Sequence, residues 1–102
     1  MIARMWRGTA LPAKANDYYR HFTTAVAPQL KTIPGHRGAF LLRREVEGHV
    51  EFVAVTLWDS MDTIKQFAGP TPDLAKVEPE AQAALLSFDD FATHYDVAHG
   101  GF

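Results

Sequence analysis

The segment Glu51–Ser60, EFVAVTLWDS, constrains the fold of this chain more than any other stretch. As a strand it places Phe52, Ala54, Thr56 and Trp58 on one face and Val53, Val55 and Leu57 on the other, because strand side chains alternate. Both faces are apolar, so both must be covered. The segment stands third among the strands of a chain that reads strand, helix, strand, strand, helix, strand. Its helices suffice for one side of a sheet only. The other side requires a second copy of the chain or a ligand.

The remaining elements follow from periodicity and breakers. Ile2–Arg7 predicts a first strand with Ile2, Arg4 and Trp6 on one face, and Gly8–Pro12 reads as a connector. A helix is expected from about Ala13, with Ala15, Tyr19, Phe22, Val26 and Leu30 recurring at helical spacing. Pro28 should end or kink its regular part near Ala27. Ile33-Pro34-Gly35 is a turn. The second strand runs from about Arg37 to Val46 and turns at Glu47-Gly48-His49. Asp59 or Ser60 caps the next helix, which buries Met61, Ile64, Phe67 and Ala68 and stops at Gly69-Pro70. Pro79-Glu80 starts a further helical piece burying Ala81, Ala84 and Leu85. The last strand is Phe91–Val97, with Phe91, Thr93, Tyr95 and Val97 on one face. Residues 1–98 form one domain and 99–102 a fraying tail. The order β-α-β-β-α-β is the ferredoxin-like α+β arrangement, an antiparallel four-stranded sheet with helices on one face. Two such sheets packed face to face close a barrel-like dimer.

Composition excludes several partners. A length of 102 residues argues for one domain, and a net charge of −2 without a basic block argues against nucleic acid. Cysteine is absent, which removes disulfides, thiol catalysis and thiolate metal sites. No apolar run approaches the ~20 residues of a membrane span, so no membrane partner is expected. MIARMWRG carries no signal-peptide core, and cytoplasmic is the expected location. His94 with His99, and His36 with His49, lack metal-site spacing, so no metal is expected. No Gly-rich phosphate loop and no serine nucleophile elbow occur.

The residues themselves carry a family likeness. MIARMWRG at the start, the Pro-Gly turn before the second strand, LWDS followed by a helix ending FAG, PE opening the next helical piece and HYDV in the last strand resemble the antibiotic biosynthesis monooxygenase family of dimeric α+β barrels. The resemblance runs from Ile2 to Val97. It implies a homodimer formed through the open sheet face, with one cavity per subunit between sheet and helices. It also implies oxidation of an electron-rich aromatic by molecular oxygen without flavin or metal, so no cofactor is expected. A second branch of this fold degrades haem, using an Asn on the first strand, a Trp on the helix after the third strand and a later His. Here the only Asn is Asn16, Phe67 stands where that Trp would be, and no His lies between His49 and His94. Haem degradation of that type is not expected.

Against this background His94 and Arg4 are the candidate catalytic residues. An imidazole can act as acid or base near neutrality. His94 could reach a bound phenol, or it could fasten its strand or line a dimer interface. Arg4, a charge in mid-strand, needs a partner. A salt bridge to Asp96 or Glu51 is favoured; an anionic phenolate or carboxylate is the alternative. Trp6, Phe22, Trp58, Phe67, Leu74 and Leu85 are candidate walls for a small aromatic molecule, with Trp58 the most core-like. The expected function is a cofactor-independent monooxygenase acting on a hydroxylated aromatic or quinol. A non-catalytic small-molecule binding protein on the same scaffold, and a different barrel enzyme such as an isomerase or dehydratase, are the alternatives.

Overall fold

Nine residues of the first strand, not six, join the sheet: Gly8, Thr9 and Ala10 stay extended and pair with Phe52, Glu51 and Val50. The expected connector is therefore strand. Gly8 belongs there because Leu85 lies over it; an added Cβ would sit 3.2 Å from Leu85 Cδ1. The structure, a computed structural model, describes residues 1–101, so the expectation for Phe102 lies outside it. Its elements are β1 (Ile2–Ala10), α1 (Pro12–His21), a π-helical segment (Phe22–Val26), α2 (Ala27–Lys31), β2 (His36–Val46), β3 (His49–Trp58), α3 (Met61–Ala68), α4 (Pro79–Ala84), β4 (Ser87–Phe88) and β5 (Thr93–Asp96).

The sheet is antiparallel, ordered β2-β3-β1, with β4 and β5 both on the far edge of β1. This is the ferredoxin-like α+β fold. The expected fourth strand, Phe91–Val97, is present but shortened to β5, and a further two-residue strand, β4, precedes it on the same edge, giving five strands. Ser87–Phe88 pair with Thr9 and Gly8, and Thr93–Asp96 pair with Met5 to Ile2. Between them the backbone turns to another partner. Ala92 N–H donates to Asp73 O at 2.8 Å, and Ala75 N–H donates to Asp90 O at 2.9 Å. The segment after α3 has thus claimed backbone groups that a continuous strand would have given to β1.

The first helix departs from the simple stripe. Tyr18 is buried and Tyr19 is exposed, the reverse of the expected assignment. The Tyr18 ring lies 4.9 Å from Phe52 and 6.3 Å from Trp6, so it roofs the sheet. Ahead of Pro28 the helix widens into the π segment, where Ala27 N–H donates to Phe22 O, five residues back. Pro28 then falls in the first turn of α2, where its missing N–H costs no bond. Ser60 and Thr63 form a reciprocal cap on α3, and Gly69 ends it with φ 89°. The hairpin tip is Glu47-Gly48, both at positive φ, and His49 already pairs with Val46.

The helix-facing side of the sheet is filled at its two ends. One end holds Ala10, Val50 and Phe52 under Ala15, Tyr18, Ala81 and Ala84; the other holds Trp58 under Leu30 and Ile64. The strand register leaves Arg4-Thr56 and Trp6-Ala54 between them. On the opposite side Met5, Val53, Val55, Leu57 and their β2 and β5 neighbours form an apolar face, with Phe40, Leu42 and Tyr95 roughly half exposed. Among the described residues no helix is long and apolar enough to cross a membrane.

Candidate functional site

A cavity of about 80 Å³ occupies the gap between the two core clusters. Arg4, Trp6, Ala54 and Thr56 form its floor. Tyr18 and His21 from α1 stand on one wall. Phe22, Val26 and Leu30 reach it from the π segment and α2. These three are spaced four residues apart along the continuous helical run and share one wall, and the π segment lies within that run. Such a bulge in a helix is frequent beside functional sites. Phe67 closes the α3 side, and Ala75–Glu78, which has no regular secondary structure, forms the roof with Ala81.

The chemistry centres on Arg4, which is only 6 % exposed. No carboxylate pairs with it among the described residues; Glu51, one of its two expected partners, is held by Arg44 at 3.0 Å. The Arg4 guanidinium instead donates to His94 Nε2 at 2.9 Å and to Pro72 O, and approaches Leu74 O at 3.5 Å. The expected salt bridge is thus replaced by neutral acceptors. Burial lowers the Arg4 pKa, and the negative charge of Asp73 opposes that shift.

An arginine can only donate. His94 Nε2 must therefore accept, which puts the ring proton on Nδ1, 3.2 Å from Asp73 Oδ1. Burial first, and then the Arg4 charge, lowers the His94 pKa; Asp73 acts the other way. The neutral imidazole is the form this arrangement holds.

Tyr18 offers the cavity a second polar group. No described residue hydrogen-bonds its hydroxyl, and burial pushes its pKa up to about 12. It is therefore a proton donor across the neutral range. Trp6 presents its ring to the cavity while its N–H donates to Asp89 O at 2.7 Å. Lys76 lies over the Phe67 ring, 5.2 Å from its centroid.

Of the sequence candidates, Arg4, Trp6, Phe22 and Phe67 line the cavity. His94 stands behind Arg4 and does not reach it. Three expected wall residues lie elsewhere. Trp58 is fully buried in the neighbouring core cluster, its N–H on Thr56. Leu74 turns its side chain outward and gives its carbonyl to Arg4. Leu85 packs over Gly8 in the other cluster. Tyr18, His21, Thr56 and Asp73 were missed. Alternation set Thr56 apart from Val55 and Leu57, but only the pairing of β1 with β3 puts it beside Arg4; Asp73 sits in an irregular segment with no periodic signal.

Residues 1–70 match the model of the antibiotic biosynthesis monooxygenase family. The chain belongs to that family. Among solved structures, this antibiotic biosynthesis monooxygenase family member is similar to SnoaB, a cofactor-independent oxygenase from Streptomyces nogalater. The two share 22% identity over 97% of this chain and 94% of that one, with a TM-score of 0.68. It is also similar to the heme-degrader MhuD from Mycobacterium tuberculosis, at 18% identity over 100% of both chains and a TM-score of 0.64. A third is a monooxygenase from Streptomyces coelicolor in complex with Nanaomycin D, at 16% identity over 99% of this chain and 89% of that one, with a TM-score of 0.62. At these identities the likeness fixes the fold and nothing finer. No curated protein matches the chain.

Proposed function

We propose that the chain is a cofactor-independent monooxygenase that oxidises a hydroxylated aromatic or quinol with molecular oxygen, as a face-to-face homodimer. The observation that carries this reading is a buried guanidinium without a carboxylate partner on the floor of a largely apolar cavity. Such a group stabilises an anionic oxygen on an otherwise apolar ring, because a charge-assisted hydrogen bond is strongest away from water. Trp6, Phe22 and Phe67 supply aromatic walls, and Tyr18, also in the lining, carries a second donor.

A deprotonated phenol is itself the reductant. Where the ring system carries a CH2 conjugated to the phenolate, that carbon gives electrons to O2 and forms a hydroperoxide. Loss of water breaks the O–O bond and leaves C=O, so CH2 and O2 become C=O and H2O. Arg4 lowers the cost of forming the phenolate. His94 Nε2 is engaged by Arg4, so the base of the proposed reaction is His21, the imidazole on the cavity wall.

A binding role without turnover is the second reading, since an apolar cavity with one buried guanidinium can hold such a molecule without transforming it. Oxygen uptake by metal-stripped protein over anthrones, naphthoquinols and simple hydroquinones decides between them. Uptake above the spontaneous rate, lost in Arg4→Met and reduced in His21→Ala, is expected. Thermal stabilisation by the same compounds with no uptake would give the second reading.

A further inference from the structure

The segment from Pro70 to Glu78, whose last four residues roof the cavity, has no helix or extended strand to stiffen it, and its ties to the sheet are concentrated within Pro72–Ala75. Pro72 O and Leu74 O accept from Arg4, and Asp73 accepts from His94 Nδ1. Arg4 and His94 are direct neighbours across β1 and β5. One guanidinium therefore reaches the roof and the neighbouring strand together. We propose that Asp73, His94 and Arg4 form a latch in which His94 is a positioning residue, fixing the Arg4 guanidinium at the cavity floor and, through it, the roof over the cavity.

The latch has a sign. Arg4 needs an acceptor at Nε2, and a protonated ring presents N–H and positive charge there instead. The charged groups facing the ring are Arg4 from β1 and Asp73 from the roof segment; Asp96, two residues along β5, shares its face and is exposed. Protonation keeps the Asp73 contact and breaks the Arg4 contact, so acid frees the guanidinium and loosens the roof. Burial and the Arg4 charge favour the neutral ring, which puts release on the acid side of the ordinary imidazole range. The Asp73 side of the ring is the open one: the Asp73 side chain is 74% exposed and that of His94 8%. The proton has a way in. This inference rests on the Arg4 contacts alone and stands whatever reaction the cavity performs.

Amide hydrogen exchange on the full chain tests it, with no substrate needed. Exchange at Leu74, Ala75 and Ala92, whose N–H groups tie down the roof segment by donating to Thr71 O, Asp90 O and Asp73 O, is expected, once corrected for the intrinsic effect of pH, to rise about tenfold or more between about pH 7.5 and about pH 4.5. Amides of Ala54 and Thr56 in β3 report the intact fold. In His94→Gln the amide oxygen takes the place of Nε2 as an acceptor that does not titrate, so the roof should stay protected and the pH step should vanish. In His94→Ala the roof should exchange fast at both pH values. A step that persists in His94→Gln, or a His94→Ala roof protected like the wild type, overturns the latch. If His94→Ala also loses protection in β3, the His94→Gln result decides alone.

Discussion

The Trp58 indole N–H donates to Thr56 Oγ1 at 2.8 Å, between two buried side chains two residues apart on β3. The bond joins the sealed core cluster to the cavity floor. It satisfies the one polar atom of the largest buried side chain in the protein. Thr56→Val keeps the shape and removes the acceptor. The buried N–H then lacks a partner, and a loss of about 1–3 kcal/mol is expected in urea unfolding. Thr56→Ser should recover most of it. A Thr56→Val protein as stable as the wild type would mean that the N–H finds another acceptor.

Arg4→Met tests the anion site. The methionine fills similar space without charge, but it leaves Pro72 O, Leu74 O and His94 Nε2 without their donor, so some loss of stability is expected beside the loss of binding. Loss of a charged hydrogen bond to a phenolate, about 1.5–3 kcal/mol, should lower affinity or kcat/KM roughly 10–100-fold. Calorimetric titration with an active hydroquinone measures it. Unchanged affinity would take Arg4 out of ligand recognition and leave it the latch role only.

Tyr18 predicts a weakness toward alkali. Its folded pKa of about 12 lies above the ordinary 10, so between those values the folded chain holds a proton that the unfolded chain has lost. Its contribution is therefore complete below about pH 10 and fades as pH rises toward 12. At full burial this amounts to roughly 2–3 kcal/mol. Absorbance titration of the phenolate band should show one of the three tyrosines ionising late. Tyr18→Phe should remove that transition and flatten the fall in stability.

The apolar sheet face predicts self-association. Sedimentation at micromolar concentration should show a dimer. Placing a charge on the face with Val55→Lys, or with Leu42→Glu, should shift it toward monomer, since a charge desolvated without a partner is expensive. A native protein that sediments as a monomer would sink the face-to-face reading.

How far the sequence was legible varies element by element. Strict alternation in Phe52–Trp58 and in Ile2–Arg7 sorted the side chains onto two faces as the sheet has them, but which face meets the helices, and so the Arg4, Trp6, Thr56 row that floors the cavity, comes only with the strand register and the helix packing. Ser60 and Gly69 ended their helix as local chemistry requires. Gly8 misled because glycine reads as a break; only the overlying Leu85, remote in sequence, explains its place in a strand. Tyr18 and Tyr19 fit the same periodic stripe equally well, and contact with Phe52 decided between them. The partner of Arg4 was illegible for a similar reason. Asp96 and Glu51 are carboxylates on strands, where pairing can be reasoned, whereas the roof carbonyls of Pro72 and Leu74 arrive by a path that no period describes.

The outer edge of the sheet, β2, carries Arg43, Arg44 and Glu45 in sequence, and the opposite edge is broken into β4 and β5. Charged or interrupted edges resist the addition of further strands. A strand edge can recruit copy after copy without end, whereas a face is used up by the first copy that covers it. With its apolar surface on a face and its defences on the edges, any association of this chain through that face would stop at the first copy.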